Sequence, residues 1–281
     1  MTLTSEGLHL ASAGYFGLLA PAYVVAAARR EGPLGKIANV GMLLGAAVLT
    51  VTIYLRGVEV DHAPFQTLYE VYLLLALCLA VSHLLINLSG GLDILRSAGT
   101  LLVHLFGLLT CVAIVVVLVM GLNAGDFQTD LPPALQSAWF VPHVIVYIFG
   151  YGSLALAMLS AAIYLVGGKL GKLDKGGLKI LDRFTHRIIA LGFPFLTAGL
   201  IFGSLWAYEA WANYWAWDSK EVWSLITWFA YLIYLHLRRV RGWRGRPAAW
   251  TVVAGGAAIF ITLLLFGYLP ASITSVHNYG P

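Results

Sequence analysis

Six of the nine tryptophans stand between Trp206 and Trp228, in the stretch WAYEAWANYWAWDSKEVWSLITW, with Glu209, Asp218, Lys220 and Glu221 set among the rings. Tryptophan gathers at membrane interfaces, because its ring is apolar and its N–H seeks water. Such a belt spreads over many helix ends, whereas these rings crowd one connection, as a platform for a large planar apolar ligand requires. Two histidines bracket the stretch in sequence: His143 in AWFVPHVIVY and His277 in SVHNYGP. Taken singly, an interfacial histidine is usually a solvated or hydrogen-bonded side chain. Two neutral imidazoles approaching an iron from opposite faces, with aromatic walls around the ring, are what six-coordinate haem needs.

The elements that carry these residues are membrane helices. The chain is 60% hydrophobic and 11% charged, against roughly 25% charged residues in soluble domains, and its mean hydropathy is +0.83. About 20 apolar residues span a bilayer, and eight such runs are present. They extend approximately over 8–28, 37–55, 68–88, 98–122, 144–166, 188–207, 222–237 and 249–269. Inside lipid every backbone polar group must be satisfied within its own segment, so the runs are helices. The expectation is an all-α polytopic membrane helical bundle of about eight transmembrane helices, forming a single domain over residues 1–281. The first apolar run is too long, and its leader too poor in basic residues, for a cleaved signal.

Positive charge orients the bundle. The connections at 29–36, 89–97, 167–187 and 238–246 hold 15 of the 17 lysines and arginines, leaving Arg56 and Lys220 for the alternate set. Under the positive-inside rule every second connection is cytoplasmic, which puts both termini and the tryptophan connection outside. The net charge of +4 then belongs to a cytoplasmic rim facing anionic lipid and calls for no nucleic acid.

Of the remaining histidines, His236 in YLIYLHLRR falls at the cytoplasmic end of the seventh run, and His83 and His104 fall in the inner halves of the third and fourth. Ionisable residues within a bilayer are costly and mark sites or pathways. The plainer readings are an interfacial side chain beside Arg238 for His236, and neutral donors bridging helices for the other two. Cys78 and Cys111 lie inside predicted spans, where thiols act as small apolar groups. With no C-x-x-C-H segment, the chain carries no haem in the manner of a c-type cytochrome.

The segment GSLWAYEAWANYWAWDSKEVWSLITWFAYLIYLHLR closely resembles the tryptophan-rich (WWD) signature of the cytochrome c assembly family. WDSKEVWSLITW is similar to its CcsA/ResC branch, part of the system II cytochrome c synthases. The likeness continues upstream through LDRFTHRIIALGFPFLTAGLIFG and the segment around His143, and downstream to His277 in HNYG. PFQTLYEVYLLL, containing Glu70, looks like that branch's early loop-to-helix motif. The strong part covers about residues 139–281, the haem-handling core.

The resemblance implies haem b, bound non-covalently on the outer face of a bacterial cytoplasmic (inner) membrane. It implies His143 and His277 as axial ligands of an outer haem iron, with Trp211, Trp215, Trp217, Asp218 and Trp223 lining that site, and His236 as ligand of an inner haem iron. The inner site's second ligand belongs in split systems to a CcsB/ResB partner; His83 or His104 is the alternative within this chain. The implied activity is haem delivery across the membrane and attachment to the C-x-x-C-H of apocytochrome c. No general acid or base stands out, and Asp218 and Glu221 read best as ordering the connection through Lys220. Asp218-Ser219-Lys220 departs from the family's common Asp-Pro-Lys. HemX-like regulators of haem synthesis share much of the signature at similar size, and a haem carrier or exporter without lyase activity fits the same residues.

Overall fold

The computed structural model describes residues 4–28, 33–124 and 130–265. Among them every regular element is helical: α1 (Ser5–Ala28), α2 (Pro33–Val60), α3 (Leu68–Leu88), α4 (Gly91–Arg96), α5 (Thr100–Ala124), α6 (Phe140–Lys169), α7 (Lys175–Trp211), α8 (Ser219–Arg241) and α9 (Arg246–Phe260). A 3₁₀ turn at Pro133–Leu135 precedes α6, and a π turn at Ile261–Leu265 follows α9. The all-α polytopic bundle expected from hydropathy is therefore present.

Seven of these helices are long and apolar enough to cross a membrane. α8, the remaining expected span, is 23 residues long but less apolar. Trp223, Trp228, Tyr231, Tyr234 and His236 each bring a polar atom into it. α7 also departs from expectation. The basic connection at 167–187 was expected to be a loop, yet α7 starts at Lys175 and runs for 37 residues. Asp174 caps it by accepting from Gly177 N at 2.8 Å. Leu181, Phe184 and Ile188 then carry a buried face through the charged stretch, the apolar periodicity of an amphipathic helix. At 1.5 Å per residue α7 is about 55 Å long, well beyond the roughly 30 Å hydrocarbon core.

The chain divides into two compact units, Met1–Gln136 and Ser137–Pro281. In the first, α1, α2, α3 and α5 pack as a four-helix bundle. One end of it is held by charge. Thr67 caps α3 with Glu70 in a capping box, and the Glu70 carboxylate also accepts from Gln66 N at 2.9 Å and from Arg56 Nε at 2.9 Å. Arg56 lies over the Tyr69 ring at 5.6 Å, and Glu59 beside it accepts from Ser5 N at 2.8 Å. The motif around Glu70 thus ties α1, α2 and α3 together. Because Arg56 and Glu70 are both buried, Glu70→Ala strands a charge and is expected to cost about 3–5 kcal/mol. Thermal unfolding in detergent reads this, and Arg56→Leu with Glu70→Leu should recover part of the loss. An unchanged midpoint for Glu70→Ala would remove the pair from the fold's essentials.

In the second unit α6 lies along α7, while α9 packs on α6 and α8. Glycines set how closely. A Cβ built at Gly150 would stand 2.8 Å from Leu196 N, so there α6 meets the backbone of α7. Cys78 and Cys111 are buried free thiols.

Candidate functional site: a histidine in an aromatic box

His143 lies one turn into α6, on the face turned toward α7. Its Nδ1 is 2.8 Å from the carbonyl oxygen of Gly199 on α7. A carbonyl accepts only, so Nδ1 carries a proton, and in the neutral form of the ring the lone pair is then on Nε2. This is the usual arrangement behind a metal-binding imidazole, since the second bond fixes both tautomer and ring orientation. The Trp206 ring stacks on the imidazole at 5.5 Å and 20°, and Tyr147 packs on it at 5.3 Å. Behind it, a Cβ at Gly203 would come within 2.7 Å of His143 Cε1, and one at Gly199 within 2.3 Å of the Tyr147 ring. The spacing Gly199, Gly203, Trp206 on one face of α7 therefore builds the slot into which the imidazole fits. Tyr147 is itself anchored through its hydroxyl to that of Tyr151 at 2.8 Å.

The aromatic wall extends around this centre. Trp206 meets Phe140 at 5.5 Å and Trp211 edge-on at 5.0 Å, and Trp139 lies against Phe202 at 5.6 Å. Ser137 donates its hydroxyl to Glu209, joining the approach to α6 to the last turns of α7. The structure thus brings His143 and Trp211 into one cluster. Trp206, at 3% exposure, stacks on His143 at an interplanar angle of 20°, and with Trp139 and Phe140 it was not singled out in the sequence. The signal for Trp206 is the Gly199–Gly203–Trp206 register, which has meaning only once α6 faces α7.

Trp215 and Trp217 stand beyond α7, edge to face at 6.0 Å. Trp217 has φ +59°, a conformation that costs a non-glycine residue and needs support. Glu221 supplies it. Its carboxylate accepts from Ala216 N at 2.9 Å and Asp218 N at 3.1 Å, on either side of Trp217. Asp218 is the N-cap of α8, forms a capping box with Glu221 and accepts from Lys220 N at 3.1 Å. Both carboxylates thus order the connection through backbone donors. Burial pushes the Glu221 carboxyl above the usual carboxylate range, while those donors pull it back. Ser219 occupies the first helical position, where proline is equally at home, so its departure from Asp-Pro-Lys leaves the cap intact. Trp217 emerges 70% exposed, and Tyr208 and Tyr214 stack on each other at 4.4 Å.

Glu221→Ala removes two charge-assisted bonds of about 1.5–3 kcal/mol each and should release Trp217 from its turn. Faster limited proteolysis within 212–218 and red-shifted tryptophan emission are the expected readouts, with Glu221→Gln intermediate. Proteolysis unchanged by Glu221→Ala would mean that the turn holds itself.

Trp223 is half-buried near the start of α8, and its carbonyl accepts from the Thr227 hydroxyl at 2.9 Å. Trp228 does separate work, donating to Thr197 Oγ1 at 3.0 Å to join α8 to α7. His277 lies outside the described residues. His236 was expected to face the bundle interior or a groove; it is exposed on α8. The helix turns Ser224, Thr227, Tyr231 and Tyr234 inward instead, and His236 falls off that buried line. His83 and His104 are buried in the first unit, where Tyr23 lies 6.3 and 6.4 Å from their ring centres. Both ring nitrogens of His83 lack a hydrogen-bond partner among the described residues.

Residues 65–273 match the family model described as Cytochrome C assembly protein. The chain is 35% identical over 259 residues to a protein of Chlamydomonas reinhardtii named Cytochrome c biogenesis protein CcsA, covering 88% of this chain and 70% of that one. It is 32% identical to the protein of the same name from Gloeobacter violaceus, covering 92% and 90%. Among solved structures the fold is similar to a chain named Cytochrome c Heme Lyase CcmF, with a TM-score of 0.63 at 17% identity. That likeness covers 94% of this chain and spans 47% of the CcmF chain.

Proposed function

This chain belongs to the cytochrome c assembly protein family, and from that premise we propose that it is the haem-presenting subunit of a system II cytochrome c synthase. Haem b is its cargo, bound without a covalent link. The observation that carries this reading is the His143 bond to the Gly199 carbonyl. It leaves Nε2 as the ligating nitrogen, inside an aromatic enclosure suited to a macrocycle.

In the proposed mechanism the chain's residues bind, orient and enclose. His143 and His277 would hold the haem iron between them. Trp206 and Tyr147 hold the His143 ring in register, so the iron's position is set before cargo arrives, the condition for proximity to accelerate a reaction. Trp211, Trp215 and Trp223 supply apolar surface for the ring. Exposed Trp217 and half-buried Asp218 border the side from which an apocytochrome C-x-x-C-H segment approaches, where its own histidine would take the place of His143 or His277. The haem contributes two vinyl groups, each of which takes one cysteine thiol to give a thioether; the protein positions rather than performs this chemistry.

The split of basic residues supports placing both termini and the connection between α7 and α8 outside the cytoplasm, in a bacterial inner membrane. A CcsB/ResB-type membrane subunit completes the complex and supplies a surface to hold the apocytochrome. Co-expression with apocytochrome c, with and without that partner, tests the reading. Covalent haem on the cytochrome is expected only with both subunits, seen as haem stain that survives denaturing electrophoresis. Covalent haem in neither arm, with this chain still loading haem, favours a HemX-like regulator or a carrier.

A further inference from the structure

The outward residues of α8 fall in one line. Ile226, Phe229, Ile233, His236 and Val240 are all exposed. They follow at steps of three, four, three and four residues, a single ridge of a 3.6-residue helix. An apolar ridge alone is an ordinary lipid face. This one carries an imidazole, which lipid cannot satisfy. One turn further on stands exposed Arg239, with which no carboxylate among the described residues pairs. Its neighbour Arg238 is instead drawn inward, onto Asp182 at 2.8 and 3.1 Å. At the opposite end the ridge leads through Val222 to the turn that presents Trp217.

Among the described residues the interior of the same unit is tightly packed. A Cβ at Gly255 would stand 2.8 Å from the Tyr231 ring, and one at Gly256 2.3 Å from Met158 Sδ. Tyr147, Tyr151, Tyr231 and Tyr234 fill the space between the helices, all buried. A cavity beside Tyr164, Asp182, Thr185 and Tyr234 has a volume of about 10 Å³, room for one water and far too small for a porphyrin.

We propose that haem passes between the inner and outer sites along the outward ridge of α8, not through the bundle interior. His236 holds the iron at the start, Arg239 takes a propionate, and the ring lies on Ile233, Phe229 and Ile226 as it advances. The passage from His236 to Val222 is about 21 Å at 1.5 Å per residue. The inference rests on the haem-handling reading above and adds the route and the propionate partner.

The test uses the full chain in a Cys78→Ala/Cys111→Ala background. Single cysteines replace Phe229 or Ile233, with Ile201→Cys on the exposed face of α7 as control. Added haem should protect the α8 cysteines, but not the control, from maleimide. A bulky maleimide adduct at Phe229→Cys or Ile233→Cys should abolish the part of haem loading that depends on His143. A Ser160→Cys/Thr185→Cys disulfide pins α6 to α7, where the two hydroxyls now meet at 2.8 Å; it should leave that loading intact. Arg239→Ala should lose inner-site haem and Arg239→Lys should keep it. Unprotected cysteines, harmless adducts, an inert Arg239→Ala, or loading abolished by the disulfide would each overturn the route. Loading is read from haem absorbance per chain, independently of thioether product. A protein that loads haem in this pattern yet attaches none refutes the synthase reading and leaves the route standing.

Discussion

Replacing His143 by alanine should remove the outer haem and, with it, nearly all covalent product. Outer partners of a metal-bound histidine already command roughly 10–100-fold in affinity, so loss of the ligand itself should exceed about 100-fold. The fold should survive. His143 is only partly buried, and its Nδ1 bond is a single interaction on a helix pair held by many others. Added imidazole should partly restore haem binding, because the pocket between Tyr147 and Trp206 remains and is the size of the missing ring. His143→Ala protein that keeps full outer-site haem absorbance, with no imidazole response, would show that the iron is held elsewhere. Haem lost without rescue, alongside a lowered unfolding temperature, would instead make His143 a packing residue.

Gly203→Leu should damage the same site from behind, and nearly as much. Even the first carbon of a side chain there stands 2.7 Å from His143 Cε1 and 2.8 Å from Nδ1, closer than any real contact. The imidazole must leave its bond to the Gly199 carbonyl, or α6 must move off α7. Overpacking of this kind costs about 1–3 kcal/mol, and here it falls on ligand geometry. The expected result is a folded protein with weakened haem binding and an altered haem spectrum. Gly203→Ala should be intermediate, since the ring need shift by only a fraction of its width. The reverse order, with Gly203→Ala worse than Gly203→Leu, would locate the defect in helix formation rather than in the slot.

Much of this molecule was legible before folding. Apolar runs named the helices, because in lipid a backbone segment has no alternative to satisfying itself. The exceptions are instructive. The stretch after Asp174 looked like a basic loop because positive charge was counted without its period; Leu181, Phe184 and Ile188 lie on one face of α7 and hold it helical. α8 forms a helix but falls short in apolarity, because aromatic residues with polar atoms carry much of it.

The crowding of tryptophans and the chemistry of two histidines pointed to an aromatic haem platform from residue types alone. That much follows from what side chains are, and needs no coordinates. Which aromatic ring touches His143, which carbonyl fixes its tautomer and which glycines make its slot depend on α6 lying against α7, and no local pattern encodes that register. Trp206 had been one tryptophan among six until Gly199 and Gly203 placed it on the imidazole. His236, expected to face the bundle, is turned outward because Ser224, Thr227, Tyr231 and Tyr234 take the inward line. Sequence determined the side-chain chemistry on offer; the packing of one helix face against another decided where each group points, because side-chain direction is a property of two surfaces and not of one.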